Sequence, residues 1–174
     1  MRFTGAGVYC YCLIENKIFI LLGRECEIQG WSQGSNKWSS FSGKVESHEK
    51  PLRSAAREFF EETCASVGLA ANVDSIESVL KNESRSIEQV SYLKGEYLCY
   101  TSYILRIPFN DYNVIFQKNK RKLVQLDGLL SEYKALKRST RLGFVFPGCK
   151  LKSMRVTSIL VFEDRVQITI DGDF

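Results

Sequence analysis

The N-terminal part of the chain alternates apolar runs with short polar breaks, a pattern typical of strands joined by turns. Residues 7–13 and 18–22 are apolar runs, and Glu15-Asn16-Lys17 separates them, which predicts a β-hairpin. Residues 23–37 are rich in Gly, Ser and Asn and predict a flexible loop. A short strand is expected from Trp38 to Phe41.

Helical periodicity begins at about Pro51, where Leu52, Ala55, Ala56 and Phe59 recur at helical spacing. Proline is well suited to the first turn of a helix, because its missing N–H has no partner there anyway. Further along, the pattern predicts two strands, Ile76–Leu80 and Tyr97–Ile107, on either side of a polar segment (Lys81–Gly95). A weaker helical pattern covers Leu123–Leu136. A closing hairpin is predicted from Met154–Phe162 and Arg165–Ile170. We expect one α/β domain spanning residues 1–174, since no repeat or linker interrupts the pattern.

The composition is that of an ordinary globular protein, with 44% hydrophobic and 25% charged residues. No apolar run is long enough to cross a membrane, and the N-terminus lacks the pattern of a signal peptide. We therefore expect a cytoplasmic protein without membrane association. Its six cysteines follow no framework spacing and are expected to be reduced and mostly buried.

The net charge of +4 is unevenly distributed. Residues 118–155 contain 11 Lys and Arg against two acids, a balance of +9, so the rest of the chain carries −5. Such a split suggests a polyanionic partner, although a solvated basic surface explains any single cluster equally well.

Three carboxylates share one ridge of the helix that begins near Pro51. With Glu58 at 0° on a helical wheel, Glu61 falls at about 300° and Glu62 at about 40°. Like charges at this spacing cost a helix a few tenths of a kcal/mol each, so the ridge is either a solvated face or a binding site. Mg²⁺ favours carboxylate oxygens and keeps waters and substrate phosphates in its remaining positions.

The complete pattern is Gly43-x5-Glu49-x7-Arg57-Glu58-x2-Glu61-Glu62. It resembles the Nudix box, and the resemblance covers residues 43–65. The fold that this implies is the Nudix α/β/α sandwich with a mixed β-sheet. The function that it implies is hydrolysis of a pyrophosphate bond in a nucleoside diphosphate-linked substrate, with Mg²⁺ or Mn²⁺ as cofactor.

The resemblance also implies roles for individual residues. Glu58, Glu61 and Glu62 match the metal-binding and catalytic carboxylates, and Gly43 matches a loop glycine whose carbonyl often joins the metal site. Arg57 matches the arginine that pairs with the loop glutamate, here Glu49, and that pair would clamp the loop to the helix.

Two positions depart from the family pattern. Residues 39–42 are Ser-Ser-Phe-Ser where many relatives have a Pro-Gly-Gly stretch. Cys64 stands where the family has a helix-ending glycine, whose left-handed conformation is unfavourable for a residue with a Cβ. We therefore expect the helix to continue through Cys64 and end near Gly68. If Cys64 were itself left-handed, glycine at this position should stabilise the protein.

Several further candidates remain open at the level of sequence. The general base could be Glu58 or an acid on a mobile loop, with Glu83, Glu88 and Glu96 as the loop candidates. His48 lies in the box but matches a variable position. The aromatic residues that could stack on a base are Trp31, Trp38, Phe41, Tyr92 and Tyr97.

Three functions are compatible with the chain. The first is an enzyme for a small nucleotide, such as a nucleotide sugar, a dinucleoside polyphosphate or a damaged nucleoside triphosphate. The second is an enzyme that removes the cap of RNA, suggested by the basic stretch. The third is a non-catalytic Nudix-like module that binds nucleotide or RNA. It would predict a degraded acidic set, whereas every carboxylate of the box is present. The oligomeric state is not readable from the sequence.

Overall fold

The computed structural model describes residues 2–26, 37–68, 72–139 and 156–163, with side chains described up to residue 128. The predicted N-terminal hairpin is present: β1 (Arg2–Ile14) pairs antiparallel with β2 (Lys17–Glu25). Glu15 and Asn16 both have positive φ, as a two-residue hairpin turn requires. Most of the predicted loop at 23–37 lies outside the described residues.

Within the described residues the sheet is mixed and has seven strands. β3 (Trp38–Ser39) pairs with β2, and β4 (Phe41–Lys44) pairs with β1, so these two short strands lie between the diverging ends of the hairpin. On the other edge of β1 lies β6 (Glu96–Arg106), which runs parallel to β1 and antiparallel to β5 (Arg85–Leu93). β7 (Val156–Glu163) pairs with β2 and contains most of the first half of the predicted closing hairpin, whereas Arg165–Ile170 lies outside the described residues.

In the part of the chain that the structure describes, three helices accompany the sheet: α1 (Pro51–Thr63), α2 (Val73–Glu83) and α3 (Tyr112–Ser139). The fold class is therefore α/β with a mixed sheet, in agreement with the predicted α/β/α sandwich. None of the helices in the described part of the chain has the length and apolarity needed to cross a membrane.

Two assignments from sequence were wrong. Ile76–Leu80 is part of α2 and not a strand. Asn72 caps this helix by accepting a hydrogen bond from the Ser75 amide at 2.9 Å, and the buried Ile76 and Leu80 lie one helical turn apart. The polar segment Lys81–Gly95 contains strand β5, whose residues are all exposed, so its polarity reflects a solvated edge strand. The weak helix over Leu123–Leu136 is present but begins earlier, at Tyr112.

The main core lies on one face of the sheet. Every second residue of β1 faces this core, namely Ala6, Val8 and Cys10. They form one buried cluster with Ala55, Ala56 and Phe59 of α1. α2 and the start of α3 join the same cluster. The other set of β1 residues, which includes Tyr9 and Tyr11, lies on the opposite face of the sheet.

The expected continuation of α1 to Gly68 was also wrong. The helix ends at Thr63, and Cys64 is left-handed with φ 49° and ψ 40°, followed by Ala65 with φ 55°. The carbonyl of Cys64 accepts a hydrogen bond from the Asn119 side chain on α3 at 2.9 Å, while Cys64 and Val67 are buried in the core. A tertiary hydrogen bond and burial therefore outweigh the preference against a left-handed non-glycine residue.

Candidate active site

α1 is docked against β4 at its first turns. Ser54 is fully buried, and its hydroxyl donates to the carbonyl of Lys44 at 3.3 Å. As the helical spacing predicted, Ala55, Ala56 and Phe59 face the core, and Thr63 is buried with them. The remaining face, which carries the acidic residues, therefore looks along β4 and the box loop.

Arg57 joins the loop to the helix. Its guanidinium donates to both carboxylate oxygens of Glu49, from Nε and from Nη2, each at 3.0 Å. Arg57 also donates to the Lys44 carbonyl at 3.3 Å, and the amide of Glu46 donates to Glu49 at 3.3 Å. The predicted ion pair between Arg57 and Glu49 is thus confirmed as a bidentate contact that closes the loop over the helix.

The same arginine reaches the acidic ridge. Its Nη1 lies 2.5 Å from a carboxylate oxygen of Glu58 and 3.6 Å from one of Glu61. The three acids of the ridge differ in environment: Glu58 is buried, Glu61 has a side chain 41% exposed, and Glu62 accepts a hydrogen bond from the Ser42 amide at 2.8 Å. Glu62 is thereby fixed to β4, while Glu61 faces solvent.

Gly43 makes the close approach of Glu58 possible. A Cβ at position 43 would lie 2.2 Å from the carboxyl carbon of Glu58 and 2.3 Å from one of its oxygens. No side chain fits at that distance. The backbone of β4 therefore forms one wall of a cradle around the Glu58 carboxylate.

The electrostatics of the clamp favour a charged pair. Burial alone would raise the pKa of Glu49, but the hydrogen bonds from Arg57 and the Glu46 amide, with the charge of Arg57, lower it below its ordinary value. The pKa of Arg57 is raised, mainly by its hydrogen bond to Glu49 and in addition by Glu58. Burial lowers this pKa, but by less. Arg57 is therefore a permanent cation at the edge of the acidic ridge.

The donor atoms of this region fit a hard divalent cation. Carboxylate oxygens of Glu58, Glu61 and Glu62 lie on one ridge, and the Glu58 carboxylate packs directly against the backbone of Gly43. No group of three acidic, His or Cys side chains already converges on one point in the described residues. Carboxylate oxygens are the donor type that suits an ion which keeps waters and substrate phosphates among its ligands.

The acids proposed as loop bases do not lie on loops. Glu83 is the last residue of α2, Glu88 lies within β5, and Glu96 begins β6 and is 3.5 Å from Arg2 in an exposed ion pair. On β5, Glu88 faces away from Ile87 and Gln89 because successive side chains of a strand alternate. His48 is exposed in the turn of the box loop, with φ 73°.

Of the aromatic residues proposed to stack on a base, Phe41 is excluded by its burial in the core. Phe41 is fully buried and packs edge-on against Phe59, with ring centroids 5.4 Å apart. Tyr92 and Tyr97 contact each other at the exposed end of the β5–β6 hairpin. Trp38 is half-buried on β3, and Trp31 lies outside the described residues.

A large pocket lies on the sheet face opposite the main core; we call it the open-face pocket. It encloses about 790 Å³. Its aromatic and aliphatic lining comprises Tyr9, Tyr11, Tyr100, Ile18, Ile20, Ile87 and Ile104, and its polar lining comprises Ser40, Ser42, Gln89 and Ser102. Sequence reasoning missed these tyrosines, although the alternation of Tyr9 and Tyr11 with Cys10 and Cys12 already placed them on one face of β1.

Tyr100 and Ser42 connect the pocket to the acidic ridge. Ser42 and Ser40 lie close enough to the phenol of Tyr100 for their hydroxyls to lower its pKa. A Cβ at Gly7 would lie 2.5 Å from the Cβ of Ser42 and 2.7 Å from the phenol oxygen, so a glycine is required there. Burial is the largest cause that raises the pKa of Tyr100, and the charges of Tyr9 and Glu62 raise it further. Ser42 and Ser40 lower this pKa, but the net change is upward, so the phenol stays protonated at neutral pH.

Comparison with known families agrees with this geometry. The profile described as NUDIX domain matches residues 3–124, which is more than half of the 174 residues. The chain belongs to the Nudix family and is a Nudix hydrolase; such enzymes generally act on nucleoside diphosphate-linked substrates. A search of curated proteins gives no match.

Solved structures similar to this chain include other Nudix proteins. An Ap4A hydrolase of C. elegans, as a binary complex, is 18% identical with a TM-score of 0.39, over 64% of this chain and 69% of that one. The Nudix hydrolase RenU of M. smegmatis is 21% identical with a TM-score of 0.43, over 63% of each chain. The NUDIX domain of Shewanella oneidensis NrtR, complexed with ADP ribose, is 6% identical with a TM-score of 0.42, over 94% of this chain and 73% of that one.

Proposed function

We propose that this protein is a divalent-metal-dependent phosphohydrolase that cleaves a pyrophosphate bond in a small nucleoside diphosphate-linked substrate. The observation that carries the proposal is the acidic ridge of α1 facing β4, with Glu58 in a cradle that only glycine at position 43 permits. The adjoining open-face pocket supplies a separate place for the part of the substrate that is not phosphate.

In this proposal Glu58, Glu61 and Glu62 hold Mg²⁺ or Mn²⁺, with Gly43 beside them. When bound, the ion would lower the pKa of a coordinated water and neutralise charge on the pyrophosphate. Arg57 and Glu49 keep the loop and the helix in register, so that the acids meet the ion in a fixed arrangement. Glu58 is also our candidate for the base that takes the proton of the attacking water.

Turnover of a substrate panel tests the proposal. Nucleotide sugars, dinucleoside polyphosphates, oxidised nucleoside triphosphates and capped RNA are incubated with Mg²⁺, with Mn²⁺ and with excess chelator. We expect metal-dependent release of a nucleoside monophosphate from at least one small nucleotide. Metal-independent turnover, or the absence of turnover for the whole panel with either ion, would contradict the proposal.

Removal of an RNA cap is a second candidate. The observation that favours it is the basic cluster near the middle of α3, where Lys118, Arg121 and Lys122 are exposed. Lys120 is half-buried on the same helix, with its ammonium 5.6 Å from the centroid of the Phe116 ring. The basic residues from Lys134 to Arg155 have side chains outside those that the structure describes. The substrate panel separates the two functions directly, because a free cap dinucleotide and capped RNA carry the same scissile linkage.

A further inference from the structure

We propose that Tyr100 of β6 is a positioning residue for the acidic ridge. Its side chain lies across β1 and reaches β4, the strand that contacts Glu58 and Glu62. The inference rests on the proposed function, because it assumes that these two carboxylates hold the divalent ion. It gives a task at the ridge to a residue that lies on another strand and outside the motif of residues 43–65.

Two glycines of β1 make room for the Tyr100 side chain. Gly5 and Gly7 are both buried and lie on the same face of the strand, because they are two residues apart. A Cβ at Gly5 would lie 2.8 Å from ring carbons of Tyr100, and a Cβ at Gly7 would lie 2.7 Å from the phenol oxygen. The tyrosine therefore occupies the space that side chains at both positions would need. This close packing against the backbone of β1 fixes the direction in which the phenol points.

The tyrosine reaches β4 on the far side of β1. β6 pairs with one edge of β1 and β4 pairs with the other. The Gly43 carbonyl oxygen lies 3.1 Å from the Cβ position of Gly5, and the Ser42 Cβ lies 2.5 Å from that of Gly7. Both atoms of β4 thus lie beside the points that Tyr100 fills. Its side chain spans from its own strand across β1 to Ser42 and Gly43.

Ser42 and Gly43 are also the residues of β4 that meet the carboxylates. The Ser42 amide donates to Glu62 at 2.8 Å, and the backbone of Gly43 packs against the carboxylate of Glu58. Within the described residues β4 pairs with one strand only, so the ladder with β1 restrains it from one edge. A side chain that packs on β4 adds a second restraint. It acts on the metal ligands through β4, without contact to the ion.

Tyr100→Phe tests the inference, because it keeps the ring over the two glycines and removes only the oxygen beside Ser42. We expect both kcat and the affinity for Mn²⁺, measured by isothermal titration, to fall about tenfold, as for other groups that orient metal ligands. KM for the nucleotide should stay unchanged, because the ring that lines the pocket is kept and the lost oxygen lies against β1 and β4.

Tyr103→Phe is the matched control. Tyr103 is also half-buried on β6, but it lies on the opposite face of the strand and packs against the main core. The variant loses the same phenol oxygen at a place that has no contact with β4. It should leave kcat and the affinity for Mn²⁺ unchanged.

A measurement without metal or substrate separates this inference from the proposed function. In chelator, the amide resonance of Ser42 in an NMR correlation spectrum reports its hydrogen bond to Glu62. We expect Tyr100→Phe to shift this resonance and to speed the exchange of the amide proton with solvent about tenfold. Tyr103→Phe should change neither.

An unchanged Ser42 amide in Tyr100→Phe would overturn the inference. So would a raised KM with unaltered kcat and Mn²⁺ affinity, because Tyr100 would then act on the substrate directly. Equal losses in Tyr100→Phe and Tyr103→Phe would also contradict it, because the cause would be a general loss of stability. A changed Ser42 amide in a protein that hydrolyses no nucleotide of the panel would leave the inference standing and refute the proposed function alone.

Discussion

The left-handed backbone at Cys64 and Ala65 costs free energy that glycine would not incur, about 1 to 2 kcal/mol at each residue. For Cys64, the loss of a side chain that is only 6% exposed offsets most of this gain. The sequence alone predicted that glycine would stabilise a left-handed position 64, but because Cys64 is buried we now expect Cys64→Gly to be nearly neutral. Ala65→Gly, at a half-buried position, should raise the free energy of unfolding by about 1 kcal/mol. Denaturant unfolding measures both changes.

Gly68 supplies the control for this pair of variants, because it already has a φ of 62° with nothing near its Cα hydrogens. Gly68→Ala should destabilise the protein by about 1 kcal/mol through backbone strain alone. A destabilising Ala65→Gly would mean that the conformation at Ala65 is not strained, and that the account of the helix end is wrong.

Gly43→Ala should affect the site more than the fold. The added methyl group would meet the Glu58 carboxylate at 2.2 Å, so that side chain must move out of its cradle. We expect a loss of about 1 to 3 kcal/mol in stability and a reduced affinity for Mn²⁺. Gly128→Ala, on α3 with no described atom within 4 Å of the added Cβ, is the matched control and should slightly stabilise the helix without changing Mn²⁺ affinity. Isothermal titration gives the affinities.

At the scale of elements, the clamp between the box loop and α1 should make stability depend on acid. The pKa of Glu49 is lowered in the folded protein, so its contribution is full above about pH 5 and is lost as the pH falls through the folded value. In excess chelator, we expect Glu49→Gln to reduce the free energy of unfolding by about 1 to 3 kcal/mol at neutral pH. The difference between the two proteins should shrink towards acid pH.

Glu15→Gln is the control, because Glu15 is exposed at the turn of the first hairpin. This variant should not change how the free energy of unfolding depends on pH. If the free energy of unfolding of Glu49→Gln equalled that of the unchanged protein at every pH, the ion pair would not contribute to stability.

Elements were predicted correctly where a regular apolar pattern begins or ends at a recognisable residue. Examples are the start of α1 at Pro51 and the polar turn of the first hairpin. The prediction failed for α2, because five residues carry too little periodicity to separate a helix from a strand. It failed for β5, because an edge strand exposed on both faces has no apolar alternation. The end of α1 was missed because Asn119, which satisfies the Cys64 carbonyl, is 55 residues away.

At the scale of the whole molecule, the acidic ridge is predictable from sequence because its carboxylates lie within one short motif. The open-face pocket is not, since its walls come from β1, β2, β5, β6 and the segment around β4. Only the parallel pairing of β1 with β6 brings Tyr100 over Gly5, beside Ser42. Such nonlocal pairing leaves no local pattern in the chain.

The basic cluster on α3 allows a test of substrate size. If long RNA is the substrate, each phosphate contact should contribute about 0.7 log units of affinity per log unit of salt. Replacing Lys118, Arg121 and Lys122 together with Gln would then impair capped RNA selectively. For the small substrate that we propose, KM should respond weakly to salt and to the triple variant. Steady-state turnover of capped RNA and of the free cap dinucleotide, at two ionic strengths, measures the difference.

The central claim is that the carboxylates of α1 act through a divalent ion, and metal titration of turnover tests it most directly. Glu62→Gln keeps an oxygen that can accept the Ser42 amide hydrogen bond, so we expect the fold to survive. It should lower kcat by about 100-fold or more and shift Mn²⁺ activation to higher concentration, since even the partners of metal ligands contribute 10- to 100-fold. Glu15→Gln should behave like the unchanged enzyme. Full activity in excess chelator, or a Glu62→Gln enzyme with unaltered kcat and metal dependence, would contradict the account.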